Sequence, residues 1–184
     1  MSGIVGSRFN IRGSGLVGSL GTDGQVFTSS GAGKSAVFEA AADGGKIGQV
    51  IRATTTSGVT LTSTTATDSG LTQAITPSAT SSKILIQVIV QHRATPSGDC
   101  GFRVIFFRDS TNVYQSVHPY AFYYLTTGSS SDSLATHDSF AYIDSPSSTS
   151  SLTYKVQYQN YDTTEIQYQS AGNESQMILW EILA

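Results

Sequence analysis

Two glycine-containing motifs in the N-terminal part of the chain have residue types that bind phosphate groups in some proteins. Residues 13–18 read GSGLVG and match the spacing G-x-G-x-x-G, in which backbone N–H groups approach a dinucleotide. That motif binds only between a strand and a helix, and residues 19–24 contain two further glycines and a turn where the helix would start. Gly33, Lys34 and Ser35 match the end of a phosphate-binding loop, but threonine occupies the position five residues earlier that requires glycine. Neither motif predicts a nucleotide site.

Histidines and carboxylates are the remaining candidates for catalysis or metal binding. His92, His118 and His137 lack the spacings of zinc ligands, such as H-x-H or H-E-x-x-H, and we expect them at strand ends and loop tips facing solvent. If the domain is a trimer, one histidine per chain near the axis is the remaining route to an ion site. The acidic residues are dispersed, with no pair marked for the ~5–9.5 Å separation that glycoside hydrolysis requires. The sequence predicts no catalytic residue, no cofactor and no metal.

The composition excludes further classes of function. Charged residues make up 12% of the chain, about half the usual share, and the net charge is −3. Since nucleic-acid binding needs clustered Lys and Arg, and Arg8, Arg12 and Lys34 form no patch, we expect no nucleic-acid partner. No run approaches the ~18 apolar residues that span a bilayer, and the N-terminus lacks a secretion signal, so we expect cytoplasmic synthesis and no membrane insertion. The single cysteine, Cys100, is expected to be a small buried hydrophobe.

Glycine divides the chain into two parts. Residues 1–48 contain 12 of the 18 glycines, with apolar residues only in ones and twos between them. Because glycine loses more backbone entropy on ordering than any other residue, this part is expected to order only against partner chains. We therefore predict an extended arm over residues 1–48, a hinge over 49–57 and a compact domain over 58–184. Within the arm, residues 25–28 (QVFT) indicate a short strand and residues 35–42 indicate two helical turns.

The compact domain has the pattern of an antiparallel β protein. Residues 83–93 (KILIQVIVQHR) are the strongest strand, because β-branched residues dominate them. Short runs of this kind, separated by turn signals and without a helix, predict a mainly β, jelly-roll-like antiparallel β-sandwich. The expected strands are 59–63, 71–75, 83–93, 102–108, 113–117, 120–125, 139–143, 153–161, 165–170 and 176–183.

Aromatic residues are more numerous in the domain than one core needs. Of the 18 aromatics, 15 lie at or beyond Phe102. Surplus aromatic surface on a β domain is usually buried between subunits. The last strand, residues 176–183 (QMILWEIL), is apolar in both alternating sets of positions. We therefore expect Ile178, Trp180 and Ile182 to contribute to a subunit interface.

Three segments resemble proteins of tailed bacteriophages. Residues 18–33 (GSLGTDGQVFTSSGAG) resemble a segment that recurs near the N-termini of tailed-bacteriophage fibre proteins. Residues 2–18 resemble the N-terminus of a group of small marine-phage structural proteins, and residues 71–86 (LTQAITPSATSSKILI) resemble the first strands of their β domain. The resemblance implies a homotrimeric virion component with an N-terminal anchor and a β-sandwich head displayed outward. It leaves open a short fibre or adaptor, which attaches to the host, and a decoration protein that stabilises the capsid; a carbohydrate-active enzyme is the weakest alternative.

The implied partners are other virion proteins of the tail, collar or capsid, and host-surface glycan or protein. In the arm, apolar side chains would lie against the neighbouring virion protein, arginines would pair with its carboxylates, and the backbone would add hydrogen bonds to sheet edges. On the head, tyrosines near the outward loops are candidates for stacking on host sugars, although burial in a subunit interface is the favoured explanation for them. The anchoring residues expected are Arg8, Phe9, Ile11, Arg12, Leu16, Val26, Phe27 and Phe38, and the tyrosines are Tyr120, Tyr123 and Tyr124.

Overall fold

The computed structural model describes residues 25–28, 37–40, 47–94, 99–117, 121–124 and 133–183, and these form β-strands joined by turns. The chain divides into two units, Met1–Gly44 and Gly45–Ala184. The strands are β1 (Gln25–Thr28), β2 (Val37–Ala40), β3 (Ile47–Thr55), β4 (Val59–Leu61), β5 (Thr67–Ile75), β6 (Lys83–Ala94), β7 (Cys100–Arg108), β8 (Thr111–Gln115), β9 (Phe122–Tyr124), β10 (Leu134–Asp144), β11 (Leu152–Asn160), β12 (Ile166–Tyr168) and β13 (Ser175–Ile182).

In the first unit, β1 and β2 form an antiparallel pair. Phe27 lies opposite Phe38, and the Thr28 hydroxyl donates a 2.9 Å hydrogen bond to the Glu39 carboxylate. The predicted strand over residues 25–28 is confirmed. The two helical turns predicted over residues 35–42 are wrong, because the β-branched Val37 and the aromatic Phe38 pair with β1 as a strand.

In the second unit, β6 is the centre of a six-stranded antiparallel sheet. Along one side it pairs with β10 from Ile84 to Ala94, and along the other it pairs with β13 and then with β12. Beyond these, β3 pairs with β13 and β4 pairs with β12. The strand predicted to be strongest therefore pairs with three other strands.

A second, five-stranded antiparallel sheet is ordered β5-β11-β7-β8, and β9 pairs with β7 beside β8. Apolar residues alternate along both sheets, so each sheet turns one side towards a shared core, and the predicted jelly-roll-like antiparallel β-sandwich is confirmed. The chain crosses repeatedly between the two sheets, as in Greek-key sandwiches. The largest fully buried side chains are Leu71, Ile75, Ile84, Ile86, Phe102, Phe106, Tyr154, Tyr158, Ile166, Tyr168, Met177 and Leu179.

The predicted hinge over residues 49–57 is corrected by the structure. Residues 47–55 form β3, which pairs with β13 from Thr55 to Ile47. The alternation in IGQVIRATT places Ile51 and Ala53 against the core, so this segment gains more from packing than from flexibility. Gly48 lies at an irregularity in this pairing, where a Cβ would come within 2.9 Å of a Glu181 carboxylate oxygen. Glycine at this position therefore allows the backbone of β3 to approach the Glu181 side chain closely.

Candidate interaction surface

The outer side of the six-stranded sheet is the candidate functional site. Because side chains alternate along a strand, every second residue of β10, β6, β13 and β3 points away from the core. The strand register aligns these outward residues in rows that run across the four strands. One such row is Ile143, Leu85, Trp180 and Val50, in that order from β10 to β3.

This row is apolar along its whole length. Ile143 is 50% exposed and Val50 is 51% exposed, although both are large hydrophobic residues. Leu85 and Trp180 between them are half-buried, each flanked by neighbours on both sides. Isolated exposed hydrophobics are ordinary, whereas a contiguous group marks an interaction site.

The rows on either side extend the apolar area. Ile182 lies opposite Ile47 and Lys83, and Ile178 lies opposite Arg52 and Gln87. Ile47 is 50% exposed. We call this area the apolar face; it consists of Ile47, Val50, Leu85, Ile143, Ile178, Trp180 and Ile182.

Charged groups lie at the border of the apolar face. Arg52 pairs with Glu174, and its Nε donates a 2.8 Å hydrogen bond to the Gln176 side-chain oxygen. Lys83 is exposed at the opposite border. Since the Arg52–Glu174 pair is internally neutral, the apolar face has little net charge.

Trp180 has a further unusual feature. Its indole Nε1 is covered by neighbouring atoms and has no acceptor among the residues that the structure describes. A buried N–H group without a partner costs ~1–3 kcal/mol. Trp180 therefore contributes the apolar surface of its ring to the site and not its N–H group.

The outer side of the five-stranded sheet is chemically different. Asp68 accepts hydrogen bonds from Gln157 at 2.6 Å and Lys155 at 3.2 Å, and Arg103 donates to Gln159 at 2.7 Å. The hydrogen bond from Gln157 lowers the pKa of Asp68. Burial acts in the opposite direction, and Lys155 adds a smaller lowering. These polar groups satisfy one another, as expected for a side that faces solvent.

Glu181 fixes the end of β13 beneath the apolar face. The residue is 1% exposed, and its carboxylate accepts hydrogen bonds from the Ser78 backbone N–H at 2.6 Å, the Ser78 hydroxyl at 2.7 Å and the Gln49 amide at 2.7 Å. Burial alone would raise the pKa of Glu181, but these bonds outweigh it and lower the pKa to about 2. The ionised carboxylate therefore ties β13 to β3 and to the connection between β5 and β6.

A second buried carboxylate links the two sheets. Asp144, at the end of β10, accepts 2.7 Å hydrogen bonds from the Arg108 guanidinium and from the Tyr154 hydroxyl of the opposite sheet. Burial, followed by the bond to Asp144, raises the pKa of Tyr154. Both buried carboxylates are thus occupied by structural bonds.

Within the described residues, no group of three His, Cys, Asp or Glu side chains is placed to hold a metal ion.

His92 corrects an expectation about the histidines. It is fully buried instead of facing solvent, because the alternation along β6 points it into the core, where its ring meets those of Phe102 and Phe122 at 4.8 and 4.3 Å. Its Nδ1 lies 3.3 Å from an Asp138 oxygen, but neither ring nitrogen makes a hydrogen bond. Burial, and then the charge of His137, lowers the pKa of His92 to about 4.

Cys100 is buried, as expected for a small hydrophobe. Burial, and then the nearby Asp162 and Asp99, raises the pKa of its thiol to about 11. Because the thiolate is the reactive form, Cys100 is protonated and inert at neutral pH.

No helix in the described part of the chain is long and apolar enough to cross a membrane.

The structure brings together the three predicted interface residues, since Ile178, Trp180 and Ile182 share the apolar face. It adds Ile47, Val50, Leu85 and Ile143, which only the register between strands could reveal. The other predicted site residues are dispersed: Val26 and Phe27 belong to β1, Phe38 to β2, and Tyr123 and Tyr124 to β9, while Arg8, Phe9, Ile11, Arg12, Leu16 and Tyr120 lie outside the described residues.

Comparisons with known proteins give matches among solved structures. No family model and no curated protein sequence matches the chain. The VP2 subviral particle of infectious bursal disease virus is similar over 87% of this chain, with 10% identity and a TM-score of 0.40. The T13 particle of the same virus gives 9% identity over 87% of this chain and a TM-score of 0.45. The match spans 43% and 40% of those two chains, so this chain spans less than half of their length.

Proposed function

We propose that the protein is a non-enzymatic structural component of a tailed-bacteriophage particle, assembled as a homotrimer. The N-terminal unit is its anchor to other virion proteins of the tail, collar or capsid. The β-sandwich is the head that it displays. The protein acts at the virion after synthesis in the host cytoplasm.

The observation that carries this proposal is the β1–β2 hairpin. A hairpin of two four-residue strands is marginally stable by itself and gains stability from a surface that covers it. Val26 and Val37 are 46% and 39% exposed, and the register places both on the same side of the hairpin. β1 also lies inside residues 18–33, the segment that resembles phage fibre N-termini. Two exposed valines, which share their side of the hairpin with Thr28 and Glu39, support an anchoring role.

Removing the N-terminal unit tests the anchor. A phage lacking its own copy of the gene would be complemented with the full chain or with residues 45–184. We expect the full chain to copurify with particles and the truncated chain to stay in the soluble fraction. The double variant Val26→Lys/Val37→Lys should reproduce the loss, whereas Val117→Lys, a change at an exposed valine of the sandwich, should not. Incorporation of the truncated chain would overturn the proposed anchor.

A short fibre and a capsid decoration protein remain separate candidates. The fibre requires binding to the host, for which Tyr120, Tyr123 and Tyr124 are the proposed sugar contacts. A decoration protein instead acts by burying area against its neighbours in the shell. Imaging of labelled protein on virions distinguishes the two, and binding of the isolated sandwich to host cells would support the fibre. Release of reducing sugar from host polysaccharide would overturn the non-enzymatic role.

A further inference from the structure

We infer that the apolar face is the surface through which copies of this chain associate with one another. The inference rests on the proposed homotrimer and deepens it by naming the surface that the subunits share. Its partner is a second copy of the same chain.

The two broad outer sides of the sandwich differ in polarity. The side of the five-stranded sheet carries polar groups that bond to one another around Ile105 and Phe107, such as Asp68 with Gln157. Burying that side would remove water from many polar groups at once. The apolar face instead offers aliphatic and indole surface whose removal from water is favourable.

The shape of the apolar face suits a broad partner. Its four strands lie ~4.8 Å apart, and it spans five residues of β13, from Ile178 to Ile182, at ~3.3 Å per residue, so it is about 19 Å wide and about 17 Å long. One extended peptide is about as wide as one strand and would leave most of the width uncovered. A partner with an equally broad, flat apolar side covers it, and another copy of the chain supplies one. The projected area, about 320 Å², is about two fifths of the ~800 Å² that each partner buries in a specific complex.

The charge of the apolar face permits self-association. In a ring of identical subunits each face comes close to the faces of its neighbours, so strongly charged faces of one sign would repel one another. Here Arg52 is neutralised by Glu174, and Lys83 lies at the border where it remains in water. Nothing on the apolar face opposes contact with a second copy.

The arrangement of strands also indicates how three copies meet. Around a threefold axis parallel to the strands, the central strands β6 and β13 lie nearest the axis, and β10 of one copy comes beside β3 of the next. Ile143 of one subunit would then lie near Val50 of its neighbour, while two equivalent Ile143 residues would lie apart. Each contact is thus between different strands, as a closed ring of three requires.

Lysine variants of the full chain test the surface. Light scattering should give wild-type protein three times the 19.4 kDa mass of one chain at micromolar concentration. Val50→Lys and Ile143→Lys, which replace residues already half in water, should give the mass of one chain with an unchanged circular dichroism spectrum. Val117→Lys is the matched control, because Val117 is 73% exposed and lies outside the apolar face, and it should keep the wild-type mass. A wild-type monomer, or lysine variants that still associate, would overturn the inference.

Cysteine cross-linking tests the arrangement. Under mild oxidation the double variant Ile143→Cys/Val50→Cys should give covalent three-chain products, and each single variant should stay as one chain. The native Cys100 is buried and does not interfere. Cross-linking of a single variant would overturn the proposed placement of β10 beside β3.

The two proposals fail separately. If the lysine variants associate while the truncated chain is lost from virions, the anchor stands and another surface forms the oligomer. If the wild type is trimeric through the apolar face but is absent from purified virions, the association stands and the virion role fails.

Discussion

Trp180 lies directly opposite Leu85 on the neighbouring strand, and both side chains point away from the core. The residues on either side of Trp180 in the chain, Leu179 and Glu181, point inward and are buried. β13 thus has apolar residues on both of its sides, a pattern found in strands that are covered on both faces. Within the chain the sandwich core covers one side. The outer side, where Trp180 and Leu85 meet, is the side that the proposed association would cover.

The indole N–H of Trp180 makes a specific stability prediction. Trp180→Phe removes a covered donor that has no acceptor in the described structure, and it also removes part of the apolar surface. Because these effects oppose each other, we expect the free energy of unfolding to stay within about 1 kcal/mol of the wild type. Leu179→Ala, one residue away in the core, should lose ~2–5 kcal/mol. Urea unfolding at several protein concentrations separates both from any effect of association. A loss for Trp180→Phe equal to that for Leu179→Ala would show that the N–H has a partner.

Glu181 should make the sandwich sensitive to acid. The pKa of its carboxyl is lowered from 4.5 to about 2 in the folded chain, so the carboxylate stabilises the fold fully above pH 4.5, and this contribution is lost as the pH falls towards 2. Glu181→Gln replaces one acceptor oxygen by an amide that faces the donors Ser78 and Gln49. We expect a loss of ~1–3 kcal/mol at pH 7, as for hydrogen bonds to a charged group. Below pH 3 the variant and the wild type should converge, and a constant difference across that range would contradict the assignment.

Local pattern was enough to predict most of the strands. β6 and β13 could be recognised from their β-branched and apolar residues, because a sheet buries such side chains whichever strands are paired. The hinge over residues 49–57 was wrong for the complementary reason. Glycines near Gly48 resemble a linker locally, and only the pairing of β3 with β13, more than 120 residues later in the chain, shows a close approach instead.

The candidate site could be predicted only in part. Trp180, Ile178 and Ile182 lie on one strand, so their alternation was visible in the sequence. Val50 and Ile143 join them through pairings between distant strands, and no local pattern determines that register. The burial of His92 was missed because a histidine at the polar end of a strand gives the same local pattern whether it turns inward or outward.

His92 makes a second pH-dependent contribution, at higher pH than Glu181. Its pKa is lowered from 6.5 to about 4 in the folded chain, so stability is complete above pH 6.5 and falls as the pH drops through 4. The nearby Asp138 opposes this in part, since burial raises its pKa and so favours its protonated form. An NMR titration should find the ring proton of His92 changing near pH 4. A midpoint of His92 near 6.5 would contradict its burial.

His92→Phe provides the matching stability experiment. Phenylalanine preserves contact with Phe102 and Phe122 and removes two ring nitrogens that make no hydrogen bond. We expect the variant to be at least as stable as the wild type at pH 7. Its free energy of unfolding should also change less than that of the wild type as the pH falls from 6.5 to 4. The midpoint of urea unfolding at pH 7 and pH 5 gives the comparison. A variant that loses stability equally at both values would show that the ring has an unseen polar partner.

Asp144 should be the least replaceable charged residue of the sandwich. Asp144→Ala leaves the guanidinium of Arg108 and the hydroxyl of Tyr154 without their shared acceptor between the sheets. Removing one partner of a buried ion pair costs ~3–5 kcal/mol, so we expect a loss of that order. Tyr154→Phe keeps the ion pair and removes a single hydrogen bond, for which ~1.5–3 kcal/mol is expected. The double variant Arg108→Met/Asp144→Ala removes both charges of the pair, so neither is left buried without its partner. Its loss in the free energy of unfolding should therefore be smaller than the sum of the losses of the two single variants. Strictly additive losses in urea unfolding would mean that Asp144 does not connect the two sheets through Arg108.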